Sequence, residues 1–170
     1  KLDIEDIKSD KIEGNKNEDD ILDSDDIHFE QLPESVKATI NKLYSLMPVE
    51  NINRIFTKTK VYYEIELEPE YFQKLTLLIS TEGTIIRSEQ DISFKTLPPK
   101  VIATLRSFIK TEPHRYLMNE IKKIKVQDFI YYELKGETPE ILFLTGITED
   151  GTTLEEKQKL VTSSIQSLIS

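Results

Sequence analysis

The side chains in this chain that could do chemistry are few, and their types and spacing say which chemistry that would be. There are two histidines, His28 and His114, and no cysteine, so disulfides, cysteine-rich zinc sites and thiol nucleophiles are excluded. The histidines stand in unrelated surroundings and do not pair as metal ligands or as base and partner. Only five glycines occur, and none builds a serine elbow or a phosphate-cradling loop. Glu64 and Glu133 each follow a Tyr-Tyr dipeptide and could be drawn as a carboxylate pair, but outward-facing strand acids are more often solubilising charges. What remains is recognition chemistry. Tyr62 and Tyr131 fall on the polar side of their strands, on a sheet face shared with Glu64, Lys74, Thr76, Glu133 and Leu144. Tyrosine offers large contact area at little entropic cost and is enriched at binding hot spots. Its competing role there is cross-strand packing, about 0.2–1 kcal/mol per pair. These seven are the candidate partner-binding residues; no catalytic residue, metal ligand or cofactor is expected.

The elements that must position them recur. Leu32-Pro33-Glu34-Ser35-Val36-Lys37-Ala38-Thr39-Ile40 is answered by Leu97-Pro98-Pro99-Lys100-Val101-Ile102-Ala103-Thr104-Leu105 at a shift of 65. Pro48 returns as Pro113, Tyr62-Tyr63-Glu64 as Tyr131-Tyr132-Glu133, and Glu82-Gly83-Thr84 as Asp150-Gly151-Thr152. A recurring order of helix start, helix stop, aromatic strand and glycine turn signals a duplicated unit. Within each copy, proline suits a helix start, where a missing N–H is no loss. Val36, Ile40, Leu43 and Met47 then share one helical face, as do Val101, Leu105 and Phe108. The spacing predicts helices over 33–47 and 98–112, stopped by Pro48 and Pro113. Val61, Tyr63, Ile65 and Leu67 alternate with polar neighbours, as do Ile130, Tyr132 and Leu134, which predicts half-buried strands. Leu75, Leu77 and Ile79 make a further strand before a hairpin at Gly83. Thr145-Gly146 interrupts the corresponding strand of the second copy.

With these residues in view, the chain resembles the PepSY-like family of secreted bacterial proteins, whose tandem units share a fold with beta-lactamase inhibitor protein. The resemblance rests on Leu32-Pro33, Tyr63-Glu64-Ile65 and Glu82-Gly83-Thr84, then Leu97-Pro98, Tyr132-Glu133-Leu134 and Asp150-Gly151-Thr152, and covers roughly residues 27 to 156. It departs in lacking the lysine usual after the turn glycine. The resemblance implies a periplasmic, cell-surface or secreted protein that binds a protein or peptide, in the manner of an inhibitor, and it leaves room for a lipid anchor upstream of Lys1.

Composition bounds the rest. The formal net charge of −9 is uneven, since residues 1–26 hold eleven acids against four lysines. Such a stretch reads as a solvated leader. The run Asp19–Asp26 is dense in oxygen ligands but lacks the glycine and closing glutamate of a calcium-binding hand, so a calcium-buffering, ligand-sequestering or structural module is the alternative function. Basic residues are scattered apart from Lys122, Lys123 and Lys125, and an acidic chain lacks the phosphate attraction that dominates nucleic-acid binding. No apolar run approaches the ~20 residues needed to cross a bilayer, and a start at Lys1 suits a mature or trimmed chain. Leu154, Val161, Ile165 and Leu168 share a helical face over 154–169, with the start of a third, truncated unit as the alternative. The expected fold class is α+β: two tandem repeats, each a helix on one face of an antiparallel sheet, plus a C-terminal helix. The expected segments are a leader (1–26), repeats over 27–92 and 93–156, and a closing helix over 157–170, in a non-enzymatic exported interaction protein.

Overall fold

A computed structural model describes residues 21–68, 73–109, 117–139 and 141–160. Its elements run β1 (Asp23–Asp26), α1 (Glu34–Tyr44), β2 (Val49–Phe56), β3 (Val61–Leu67), β4 (Leu75–Ser80), β5 (Ile85–Asp91), α2 (Pro99–Ile109), β6 (Leu117–Val126), β7 (Phe129–Glu137), β8 (Ile141–Thr148) and β9 (Thr153–Leu160). The strands hydrogen-bond in sequence order from β1 to β9 as one nine-stranded antiparallel sheet.

This corrects the expected fold class. The described chain is mostly one sheet with two helices of 11 residues each, not two helix-on-sheet repeats closed by a C-terminal helix. The missed strands explain the error. In β2, Ile52 and Ile55 are both buried, and in β6 Ile121, Ile124 and Val126 are buried, so neither strand shows the strict alternation that announces a half-buried strand. β1 has no apolar signal at all; it is held by backbone pairing to β2 and by a bidentate contact from Arg54 to Asp25 (3.2 and 2.7 Å). The stretch expected to open the last helix is instead β9, with Leu154 buried against the sheet. Val161, Ile165 and Leu168 lie outside the described residues, as do residues 1–20 of the acidic leader.

The first helix is shorter than the expected 33–47, and the second is described from Pro99 to Ile109. Pro33 stands just ahead of α1 with extended ψ, and its carbonyl accepts from the Val36 and Lys37 amides, both at 3.0 Å. Pro98 does the same for Val101 and Ile102 (3.0 and 3.1 Å). α1 ends at Tyr44, before Pro48, in a turn closed by Met47 N–H donating to the Tyr44 carbonyl. Val36 and Ile40 are buried as predicted, whereas Leu43 is 55% exposed.

The described residues divide into two compact units. One holds those up to Gln90 together with Ile124–Phe129; the other holds Asp91–Lys123 and those from Ile130 onward. In the first, Val36 and Ile40 of α1 pack on Tyr63, Ile65, Leu67, Leu75, Leu77 and Ile79. In the second, Leu97, Val101 and Leu105 pack with Ile121, Tyr132, Leu134, Phe143 and Ile147. Each helix is also fastened to a glycine turn of its own unit. Thr39 Oγ1 donates to the Gly83 carbonyl and Thr104 Oγ1 to the Gly151 carbonyl, each at 2.6 Å. Both glycines have positive φ (86° and 89°), a conformation only glycine adopts freely. At Gly83 a Cβ would come within 2.6 Å of the Ser35 carbonyl oxygen, so the turn sits directly on the helix backbone.

Thr145 and Gly146 do not interrupt β8. The strand is continuous, with a register shift against β9 between Thr145 and Ile147, and Thr145 faces the interior in step with Phe143 and Ile147.

Candidate functional site

The pleat of β3 decides which side chains leave the core of the first unit. Tyr63, Ile65 and Leu67 join the cluster under α1, so Tyr62, Glu64 and Glu66 project to the opposite face. Register then sets their neighbours. Ile55 lies opposite Tyr62 and Asn53 opposite Glu64; Leu78 lies opposite Glu64 on the other side, and Thr76 opposite Glu66. On β5, Arg87 stands opposite Leu78 and Glu89 opposite Thr76. The face turned away from α1 thus reads Asn53, Glu64, Leu78, Arg87 along one row and Glu66, Thr76, Glu89 along the next.

These side chains enclose a cavity of about 240 Å3 lined by Ile21, Ile55, Thr57, Tyr62, Glu64, Thr76, Leu78, Arg87 and Glu89. Three predicted residues, Tyr62, Glu64 and Thr76, therefore meet at one place. Lys74 lies outside the lining and its Nζ is 3.0 Å from Glu66 Oε1. Arg87 forms an ion pair with Glu89, both largely withdrawn from solvent. Sequence reasoning overlooked Arg87, Glu89, Leu78 and Ile55; the register of β2 and β5 was the missing information, because neither strand alternates cleanly enough to reveal which side chains share a face.

Burial changes the role of the tyrosines. Tyr62 is 3% and Tyr131 0% exposed, so in this structure neither stands free on a surface as an anchor for a partner. Both tyrosines of each Tyr-Tyr pair are buried, one on each side of its strand. Tyr131, Glu133 and Leu144 belong to the second unit, where Tyr131 pairs with Thr148, Glu133 with Gly146 and Leu144 with Lys135. Glu133 and Leu144 are half-buried and Lys135 exposed.

A wider concavity of about 720 Å3 lies at one end of the first unit, lined by the Thr57–Lys60 and Ser80–Thr84 turns with Gln127. The Thr57 hydroxyl there is committed to its own turn, donating to the Lys60 carbonyl (3.0 Å) and accepting from the Lys60 amide (3.0 Å). Glu82 in the facing turn is held below the usual carboxylate range, first by its own backbone N–H and then by the Ser80 and Thr81 hydroxyls. Asp150 is lowered likewise, by the Thr148 and Thr152 side chains and the Thr152 amide. These acids brace turns. Among the described residues no group of three or more histidine, cysteine or acidic side chains is placed to hold a metal, and Asp25 of the expected calcium run is bound to Arg54. His28 is exposed and sits at a single 3-10 turn, where its backbone N–H donates to Gln31 Oε1 (2.8 Å); His114 lies outside the described residues. No described helix is long and apolar enough to cross a membrane.

With this geometry in hand, comparison with solved structures finds the same fold elsewhere. A BLIP-like protein from Bacteroides fragilis superposes with a TM-score of 0.56 at 14% identity, over 75% of this chain and 86% of its own. The fold is BLIP-like. A DUF2874 family protein from Bacteroides uniformis gives 0.57 at 12% identity, over 74% and 88%. A provisionally periplasmic protein from Bacteroides eggerthii gives 0.57 at 15% identity, over 81% and 94%. No family model matches the chain, and no curated protein matches it in sequence. The PepSY-like membership expected from the short motifs is accordingly not supported, while the BLIP-like fold that the same resemblance implied is the one observed.

Proposed function

We propose that this is an extracytoplasmic, non-catalytic binding protein that holds a protein or peptide partner, in the manner of an inhibitor, against sheet surface turned away from the helix of its unit. The observation that carries this reading is the cavity on that face of the first unit, where apolar side chains (Ile55, Leu78) and charged ones (Glu64, Arg87) are presented together. Mixed apolar and polar lining, with a few placed hydrogen-bonding groups, is what recognition sites present. The likeness to a BLIP-like protein and to a provisionally periplasmic one supports an exported binder. The seven residues Tyr62, Glu64, Lys74, Thr76, Tyr131, Glu133 and Leu144 remain the proposed contact set, with Tyr62 and Tyr131 as buried supports and the others as the contacting surface.

The test places a photo-crosslinking residue at Thr76, at Lys74 or at Lys135, with exposed Lys42 on α1 as control, and exposes the full chain to envelope extract. One partner should be captured from the open-face positions and not from Lys42. Capture of the same partner from Lys42 at equal yield, or from Lys42 alone, overturns the reading.

A further inference from the structure

We propose that the cavity lined by Tyr62, Glu64 and Arg87 seats a lysine or arginine side chain of a peptide partner; the inference rests on the open-face reading above and names the chemistry of its occupant. Three observations converge. First, a carboxylate is available: Glu64 lines the cavity with Arg87 and Glu89, those two form an ion pair with each other, and no ion pair of Glu64 is found among the described residues. Glu64 is half-buried. A partially desolvated carboxylate gains most from a cation brought to it. Second, the walls suit the stem that carries such a cation. Ile55, Leu78 and the Tyr62 ring offer apolar surface beside Glu64, and lysine and arginine lay their methylenes along such surface while the head reaches a charge. Third, Arg87 Nε is buried without a hydrogen-bond acceptor among the described residues. A buried donor without an acceptor calls for an explanation, and the main-chain carbonyl of the peptide carrying the basic residue is a neutral acceptor that supplies one without adding negative charge.

Other occupants fit less well. An anion would satisfy Arg87 but meet Glu64 and Glu89. A purely apolar side chain would leave the Glu64 carboxylate and the Arg87 donor both unmet. A metal ion would lack a third ligand, since no such group exists among the described residues.

The experiment titrates the isotope-labelled full chain with three blocked tripeptides, glycine-X-glycine with X as lysine, norleucine or glutamate, and follows backbone amide signals. The lysine peptide should shift Glu64, Thr76, Leu78, Arg87 and Glu89 saturably, with norleucine bound at least about tenfold more weakly and glutamate not bound there. Glu64→Gln should weaken the lysine peptide about tenfold or more, and added salt should weaken it in the wild type. Equal binding of norleucine, preference for glutamate, insensitivity to both Glu64→Gln and salt, or no saturable shift at these residues overturns the proposal. Should Glu64→Gln fail to fold, the peptide ranking and the salt dependence on the wild type decide it alone. Partner capture from Thr76 that survives Glu64→Gln would remove this inference and keep the open-face reading; no capture from any open-face position in the wild-type chain would remove both.

Discussion

The contact between Thr39 and Gly83 is a bond between a helix side chain and a turn carbonyl 44 residues on, and it makes two separable predictions. Thr39→Val deletes one hydrogen bond in similar volume and should cost about 0.5–1.5 kcal/mol. Gly83→Ala should cost more than Thr39→Val, because positive φ alone disfavours a Cβ by roughly 1–2 kcal/mol and that Cβ would lie 2.6 Å from the Ser35 carbonyl oxygen. Denaturant midpoints would check the order; a Gly83→Ala chain as stable as wild type would show the turn can leave the helix. Thr145 predicts the opposite sign. It is 0% exposed, paired in register with Leu134, and its hydroxyl has no hydrogen bond among the described residues. Thr145→Val should therefore stabilise by about 1 kcal/mol, the low end of the cost of burying an unbonded hydroxyl. At this scale much was legible in the sequence: the glycine turns, the proline helix starts and the inward Tyr63 all follow from local chemistry. The burial of Tyr62 and Tyr131 was not, because alternation assigns a side chain to a face and says nothing of what packs on that face.

Among the elements, legibility tracked how far tertiary contact overrides local pattern. β3 and β4 announced themselves because one face is apolar and the other polar. β1 could not, since Asp-Ser-Asp-Asp forms a strand only when β2 is there to pair with it and Arg54 is there to meet Asp25; its charges also suit a sheet edge, where acids discourage further pairing. β9 misled because Leu154 stands seven residues before Val161, which stands four before Ile165, a helix-like spacing. The buried faces of the helices carry a simple prediction. Ile40→Ala (2% exposed) and Leu105→Ala (0%) should each lose about 2–5 kcal/mol in equilibrium denaturation, and unchanged midpoints would remove these positions from the core. β2 carries a pH prediction. Glu50 sits at its register shift, and its pKa is raised by a shared hydrogen bond and then by Coulomb repulsion from Glu68. A carboxyl whose pKa is higher folded than unfolded opposes folding when ionised, and that opposition is relieved as pH falls through the raised value. Glu50→Gln should thus raise the melting temperature at neutral pH, and the gain should shrink as the pH is lowered into the carboxylate range. A gain that grows on acidification would reverse the sign of the argument.

For the molecule as a whole, the sequence suggested a chain that could be divided near residue 92, and the structure gives a specific reason to test that division. Ile124 and Val126, both 0% exposed, belong with the residues before Gln90 rather than with those that flank them in sequence. The Gln127 amide also donates to the Ile86 carbonyl at 3.3 Å. A chain ending at Gln90 would therefore lose two buried aliphatic side chains from its own unit, each contributing about 1.5–3 kcal/mol by burial, out of a total stability for a small domain of about 5–15 kcal/mol. It would also leave β5 without that backbone acceptor satisfied. The expected result is that residues 1–90 alone show poorly dispersed amide signals and no cooperative melt, while Ile124→Ala/Val126→Ala in the full chain lowers the stability of β3–β5 measured by amide exchange. A fragment 1–90 that melts cooperatively at the full chain's temperature would show that the first unit is complete without residues 124–129, and that the division near residue 92 is physically real.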